Sequence, residues 1–411
     1  MKKAFLAILL AACLLIGMIP GSVADDTKTL QMLWFSDGQE GIVMQGLIDQ
    51  YEAAHPGIRI ELVEVPYADL NNKVTTMLNA GEQPALARMT TVGQFAPYYL
   101  NLDEAIGADF RDRFAETTAI IVDDACMAST MEYTAAGVIY NKTAFEKAGV
   151  QVPTSIDDVW TWEEFEEALL QVMEKGDVKY GLAVDKTVGR FWNFFYQAGA
   201  HYLNDDGTSA FDSAETRRAI QYLYDLHKKG IIPASVWMGA ENPNTMFRSG
   251  QVACHIGGSW LLTSYDKEIT DFEWGVTYLP KDAMSAVQSA GKYLVAFKDT
   301  GLEKEAAEFI DWFCTPEIMN QYLEPLFFIS NLTAKAEGTS ESKYADAFAV
   351  FADEIAANES VLQREQANAM LSKLNPDLLD LLSACFADQI TIDEAVKEFN
   401  AILEEAIADQ E

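Results

Sequence analysis

The sequence predicts an α/β protein of two domains joined by several crossings of the chain, with a helical C-terminal third. Three observations carry this expectation. Strand-like and helix-like patterns alternate from Thr29 to about Ile256, the order that builds parallel α/β layers. The chain has 411 residues, more than one compact core accommodates. No repeat and no low-complexity linker separates the halves, which suits domains connected by more than one segment.

The first 24 residues read as a secretory signal: Lys2 and Lys3, an apolar run from Ala4 to Ile19, a break at Pro20-Gly21 and the small residues Ser22-Val23-Ala24. The mature chain is expected to begin near Asp25 and to work outside the membrane, in the periplasm or at the cell surface. Leu10-Ala11-Ala12-Cys13 offers an alternative, acylation at Cys13. A lipidated cysteine is expected to precede a polar tether, whereas Leu-Leu-Ile-Gly-Met-Ile continues the apolar run. No later stretch approaches the ~20 apolar residues of a spanning helix.

Thr29 to Phe35 is a buried-strand pattern, followed by a loop at Ser36 to Glu40 and a helix from Ile42 to His55, closed by His-Pro-Gly. Ile58 to Val65 is β-branched, Tyr67 to Ala80 helical, and Ala85 to Met89 a short strand. Gly137 to Tyr140 predicts a strand and Lys142 to Ala148 a helix stopped at Gly149. Thr161 with Glu164 three residues later forms a capping box for an amphipathic helix, which Trp160 and Trp162 are expected to pin to its domain. Further strands are expected at Tyr180 to Val184 and Val252 to Ile256, with helices at Arg190 to Gly199 and Ser213 to Lys229 between them. Ala306 to Cys314 and Ile392 to Ile407 are helical patterns.

Removing Lys2 and Lys3 from the 29 basic side chains leaves 27 against 63 acidic ones, a net charge of −36. Such a surface repels phosphate backbones and anionic lipid, so nucleic acid is excluded as a partner. Cys126, Cys254, Cys314 and Cys385 contain no CxxC pair and read as buried thiols. His55, His201, His227 and His255 are isolated from one another, so no metal site and no cofactor is expected. Asn204-Asp205-Asp206-Gly207 lacks the closing Glu of a calcium loop and reads as a turn. Asn141-Lys-Thr143 and Asn331-Leu-Thr333 match glycosylation sequons but are taken as coincidence.

The stretch GVIYNKTAFEKAGVQVPTSIDDVWTWEEFEEAL from Gly137, MFRSGQVACHIGGSWLL from Met246 and ITIDEAVKEFNAILEEA near the end resemble the large sugar-binding receptors of bacterial ABC importers, typified by maltose-binding protein. Weaker agreements from Phe211, Gly275 and Glu305 extend the likeness in order over nearly the whole mature chain. The resemblance implies a two-lobed periplasmic-binding-protein fold of type II. It places residues 25–133 and 289–335 in an N-terminal lobe, and 136–287 and 340–411 in a C-terminal lobe. It implies a monomer that binds a carbohydrate between lobes, closes about a hinge and engages the importer's permease subunits. Two departures lie on the cleft approach: Ala85 stands where the family carries an acid, and Cys126 to Ala128 lacks a Gly-Leu-Pro.

A sugar offers hydroxyls at its rim and an apolar face, so its receptor needs flat rings beside planar polar groups. Trp260, after Gly257-Gly258-Ser259 at a strand end, matches the family's stacking tryptophan, the alternative being a core Trp behind the strand; Ser259 would sit beside it. Trp34, Phe35 and Asp37 close the first strand, where α/β sheets present ligands, although Asp37 also fits an exposed turn. Thr90 and Thr91 end the third strand. Glu132 and Tyr133 precede the crossing toward Gly137 and serve either the ligand or hinge packing. Arg190 and Trp192 open a helix at the family's second-lobe ligand segment, where Arg190 could instead pair with a surface acid. Trp237, Tyr293 and Asn375 complete the candidates; Trp274 and Trp312 are assigned to cores.

Two rivals remain. A secreted glycoside hydrolase needs paired carboxylates, but Glu163-Glu164, Glu166-Glu167 and Glu404-Glu405 fall on solvated helix faces, and neither a GxSxG elbow nor a P-loop occurs. A receptor of the same class could instead carry a polyamine, iron or a phosphate ester.

Overall fold

The computed structural model describes residues 27–410 except Asp37, Thr91, 115–119, 123–124, Phe327, Ile329, Asn331 and 335–342. The expected signal segment with Cys13, the sequon at Asn331, and the candidates Asp37 and Thr91 lie outside the described residues.

Among the described residues nine strands join in one hydrogen-bonded sheet. β1 (Lys28–Trp34), β2 (Ile58–Glu64) and β3 (Leu86–Met89) are followed by β4 (Ile120–Val122), β5 (Ala125–Asn141) and β6 (Tyr180–Val184), then by β7 (Val252–Gly258), β8 (Trp274–Thr277) and β9 (Ser289–Ala296). The order is β2-β1-β3-β9-β5-β7-β6, with β4 and β8 also on β5. β1 is parallel to β2 and β3, and β6 to β7; β5 and β9 run antiparallel to their neighbours.

The apolar interior follows from period-2 alternation. Leu30, Met32 and Trp34 of β1 join one buried cluster with Leu86, Leu294 and Ala296. Leu33 and Phe35 point the other way, into a cluster with Ala87, Met89 and Val295. The first sheet is therefore covered on both faces, which explains why TLQMLWF is a continuous apolar run. A separate larger core gathers buried residues from Ala135 to Val287 and from Tyr344 to Leu403. The chain thus has the two-lobed periplasmic-binding-protein fold, with a mixed sheet flanked by helices.

Helices sit where local chemistry starts and stops them. α1 (Glu40–Ala54) and α2 (Leu70–Ala80) flank the first sheet, and α3 (Lys142–Ala148) ends at Gly149, whose φ of 70° suits glycine. α4 (Trp162–Lys175) has the expected capping box: Thr161 Oγ1 accepts from Glu164 N at 3.2 Å and Glu164 accepts from Thr161 N at 2.8 Å. The Trp162 indole donates to Gln197 at 2.8 Å and stacks on Tyr222, pinning α4 as expected. α5 (Val188–Gln197) starts two residues earlier than its apolar pattern because Thr187 caps it. α6 (Ala214–Lys228), α7 (Glu303–Phe313) and α8 (Pro316–Leu326) follow, then α9 (Ala345–Ala356), α10 (Asn375–Phe386) and α11 (Ile392–Ala408). No helix among the described residues is long and apolar enough to cross a membrane.

The largest difference from expectation is β5. The pattern GVIY marked only its end; the strand extends back to Ala125 and has 17 residues. Its first part, ACMASTMEYTAA, is rich in small residues with little strand preference of their own. It is extended because partners on both edges take its hydrogen bonds. Ser129 to Ala135 pair with β9, Ala136 to Tyr140 with β7, and Val138 to Asn141 with β8. β9, which sequence reasoning missed, runs beside it from Ser289 opposite Ala135 to Leu294 opposite Ser129, and its other edge pairs with β3 from Tyr293 opposite Met89 to Ala296 opposite Leu86. β5 thus bonds into both halves of the sheet, and β9 begins where its partners change.

Helix α9 locks onto this crossing. Phe351 packs so closely on Gly137 that a Cβ there would lie 2.7 Å from the ring. Tyr278 donates to Asp353 at 2.8 Å, and Asn358 makes both backbone hydrogen bonds of Val287, at 2.9 and 3.0 Å. Glu354 is buried and accepts from Leu279 N at 2.5 Å.

All four described cysteines are free and buried. Asn141 of the first sequon is buried and caps α3 through Ala144 N at 2.9 Å. Asn204 and Asp206 bond within their own turn.

Burial, with Asp353 adding to it, raises Glu354 to about 8. Its neutral form is favoured by folding, so its stabilising contribution is complete below the ordinary carboxylate range and is lost as pH rises through about 8. Glu354→Gln should remove this loss. Calorimetry from pH 5 to pH 9 should show the variant's melting temperature gaining steadily on the wild type; a constant difference would show that Glu354 does not titrate in that window.

Candidate functional site

The carboxyl ends of β1 and β3 are organised around Arg88, a fully buried arginine. Its guanidinium lies 5.2 Å from the Trp34 ring and 4.3 Å from the Phe35 ring. One arm donates to the Phe35 carbonyl at 2.6 Å and the other pairs with Glu132. Glu132 also accepts from the Tyr322 hydroxyl of α8 at 3.1 Å. Glu40, at the start of α1, accepts from Gly38 N at 2.6 Å. Burial raises the Glu40 pKa, with Arg88 opposing and Glu132 adding. Burial works against the charge of Arg88, but Glu132, Tyr322 and Glu40 outweigh it and push its pKa up.

This network joins the loop after β1, the strand β3, the crossing strand β5 and α8. β5 has a register irregularity between Thr130 and Glu132, a bulge of the kind that re-aims a side chain. Just beyond it the Tyr133 hydroxyl lies 3.3 Å from Ser289 Oγ, and Thr134 donates to Ala290 O at 3.1 Å.

Two rings stand where β7 and β9 approach this crossing, each on a glycine two residues earlier. A Cβ on Gly258 would lie 1.9 Å from the Trp260 ring and 2.6 Å from Ala135 O; one on Gly291 would lie 2.3 Å from the Tyr293 hydroxyl. Both rings are half-buried. Trp260 packs against the large core and against a first-lobe cluster, so it touches both lobes.

Beside Trp260 is a second polar group. Arg190 Nε donates to Asp185 at 3.1 Å and to Ile256 O at 2.9 Å, and Nη1 to Gln288 at 2.5 Å; the guanidinium lies 5.2 Å from the Trp260 ring. His255 Nε2 is 3.5 Å from Asp185, and its Nδ1 is 2.8 Å from the Tyr265 hydroxyl. Partial desolvation raises Asp185, but His255 and Arg190 outweigh it and hold the carboxyl at about 2.

The structure therefore sets Arg190, Ser259 and Trp260 together at the end of β7, and Tyr133 and Tyr293 on the paired strands β5 and β9, with Tyr293 packed on the Phe35 cluster. Trp34, Phe35 and Glu132 are buried beneath, engaged by Arg88. Thr90 is half-buried just past β3. Trp192 is half-buried and donates to the Tyr202 hydroxyl at 2.9 Å. Trp237 is a core residue, 1% exposed, bonded to Val184 O at 3.0 Å and packed on Phe386. No hydrogen bond or ring contact among the described residues joins Asn375, the first residue of α10, to the Arg190 group. Trp274 and Trp312 are partly buried against their cores.

Sequence reasoning missed Arg88, Asp185, Gln288 and Tyr67. Asp185 directly follows β6, so the strand-end rule applied to Trp34 would have found it. Tyr67 is 58% exposed with its ring 5.2 Å from Phe35, behind a proline that hid it in a helix start. Among the described residues no cluster of His, Cys, Asp and Glu could hold a metal. The acidic pairs lie on helix surfaces: Glu163, Glu164, Glu167, Glu404 and Glu405 are exposed, and Glu166 is ion-paired with Lys229.

Residues 46–352 match the family model of bacterial extracellular solute-binding proteins. A putative binding protein of Brucella abortus is 24% identical over 275 residues, 64% of this chain and 66% of that protein; the matched stretch is thus just under two thirds of the relative's length. The sn-glycerol-3-phosphate-binding periplasmic protein of Yersinia enterocolitica is 24% identical over 354 residues, 76% of each chain. The structure of an ABC substrate-binding protein from Listeria monocytogenes in complex with cycloalternan superposes with a TM-score of 0.80 at 18% identity, covering 92% of this chain and 99% of that one.

Removing one partner of a buried ion pair strands the other, at a cost of about 3–5 kcal/mol, whereas replacing both by apolar residues is often neutral. Glu132→Leu should therefore lose about that much in urea unfolding, and Arg88→Met added to it should restore most of the loss. A double variant no better than the single would show that the charges are not coupled.

Proposed function

From a chain that belongs to the family of bacterial extracellular solute-binding proteins, we propose a receptor for a carbohydrate, mono- or oligosaccharide, held in the cleft between lobes and delivered to an ABC importer. The observation that carries this is the Trp260 ring, packed on both cores, with the Arg190 guanidinium 5.2 Å from it and Asp185 paired to that guanidinium. Flat rings meet the apolar face of a sugar, and planar charged groups meet its hydroxyls.

The lobes are taken as 25–133 with 289–335 and 136–287 with 340–411, β5 forming one crossing and Gln288, the residue before β9, another. The direct contacts proposed are Tyr133, Arg190, Ser259, Trp260 and Tyr293, with Thr90, Trp192 and the exposed Tyr67 at the margins. Trp34, Phe35 and Glu132 support the first-lobe floor. Binding works by favouring the closed population, so contacts made by both lobes drive it; Trp260, touching both cores, is best placed for that. No bond is made or broken, and the protein acts as a monomer, exported, with permease subunits as its partners.

A phosphate ester is the second reading, favoured by the match to the Yersinia protein. Against it, Arg190 already faces Asp185, held ionised at neutral pH. An anion would meet a compensated pair rather than a free cation.

A thermal-shift screen of the mature protein should separate these. A ligand at 100 times its Kd stabilises by about 2.7 kcal/mol. The expected outcome is a raised melting temperature with a sugar, lost in Trp260→Ala, and none with glycerol 3-phosphate or spermidine. A shift with glycerol 3-phosphate alone would make the phosphate ester the cargo.

A further inference from the structure

Gln288 occupies the joint between the crossing strand and the second lobe. It is the residue before β9. Its N–H donates to Asn193 of α5 at 2.6 Å, and its carbonyl accepts from Ala136 N at 3.0 Å. Ala136 is where β5 changes partner: Ala135 pairs with Ser289 of β9, and Ala136 with Gly258 of β7.

The side chain is held as firmly as the backbone. Its oxygen accepts from Arg190 Nη1 at 2.5 Å. Its carboxamide lies against Gly189, where a Cβ would be 2.8 Å from Cδ and Nε2, so Gly189 is the gap into which it fits. Arg190 is fixed at its other end by Asp185 and the Ile256 carbonyl, and its guanidinium faces the Trp260 ring. A chain of contacts thus runs from β9 through Gln288 and Arg190 to a ring that packs on both lobes.

A guanidinium over an indole holds its orientation through the ring's negative face, and it does so only while its own direction is set. Asp185 and Ile256 both bind Nε, leaving rotation about the guanidinium's long axis to be stopped at the far end. Gln288 supplies that stop, and it is the residue that leads directly into β9. We infer that Gln288 is a positioning residue for the Trp260 ring, setting its tilt through Arg190 according to the angle of the crossing strand. This rests on the proposed role of Trp260 as the ligand's stacking platform, and it makes that platform follow the hinge instead of standing fixed in the second lobe.

The test uses Gln288→Met, which keeps the side-chain length but not the acceptor, Gln288→Glu, which restores an acceptor, and Trp260→Phe. Without ligand, Trp260→Phe defines the contribution of that indole to the near-ultraviolet circular dichroism. Gln288→Met should lose the same contribution while its melting temperature stays within about 2 °C of the wild type, and Gln288→Glu should regain it. With maltotriose as probe, calorimetric affinity should fall about tenfold in Gln288→Met and recover in Gln288→Glu. An unchanged indole signal in Gln288→Met would overturn the inference. So would a loss of signal that Gln288→Glu fails to rescue, since that marks a general packing defect or a direct ligand contact through the amide nitrogen. A wild-type protein that binds no maltotriose counts against the sugar reading alone; the spectral comparison needs no ligand and still decides the role of Gln288.

Discussion

One strand must satisfy hydrogen bonds in two lobes, and most of what distinguishes this molecule follows from that. β5 has β9 beside it in its first half and β7 and β8 in its second. A backbone buried on both edges cannot leave N–H or C=O groups unpaired without cost, so the exchange of partners has to occur within a residue or two. It does so at Ala135 and Ala136, and the neighbouring positions are small. Bulky side chains would obstruct the approach of β7, α9 and the carbonyl of Gln288. The irregularity near Met131 lets Glu132 reach Arg88 while Tyr133 meets Ser289.

Each lobe brings a buried cation to this strand pair, and each cation has its own carboxylate. Arg88 with Glu132 fixes the loop after β1; Arg190 with Asp185 fixes the surroundings of Trp260. Neither arrangement is an efficient source of stability, because desolvating two charges consumes most of what their attraction supplies. What such pairs do give is direction: a guanidinium with named acceptors on several elements holds those elements in register. In a protein of net charge −34, compensated pairs also keep the surroundings of Trp260 from adding to the general negative field.

The sequence made the periodic elements legible and the crossing strands illegible. The capping boxes at Thr161 and Thr391, the glycine stop at Gly149 and the strand at Val252 are local chemistry, and local chemistry is what a single sequence displays. The first half of β5 and all of β9 are specified by distant partners; ACMASTMEYTAA and SAGKYLVA carry no periodic mark of their own. The site shows the same division. Trp260 was visible because a glycine turn announces it, whereas Gln288 and Arg88 matter through contacts 98 and 44 residues away in the chain. Trp237 had the right residue type and a loop-like setting, but the core behind α10 claimed it.

The buried thiols have a practical consequence. Burial raises Cys126 and Cys385 to about 11 and Cys314 to about 12, and lifts Cys254 well above its ordinary value. A maleimide dye attacks through thiolate, which is scarce at neutral pH when the thiol is this weak an acid. The four described cysteines therefore present dyes with a nearly silent background. A cysteine introduced on the surface of either lobe would take the label without prior removal of Cys126, Cys254, Cys314 or Cys385, so a pair of fluorophores reporting the distance between lobes can be installed with these four left in place.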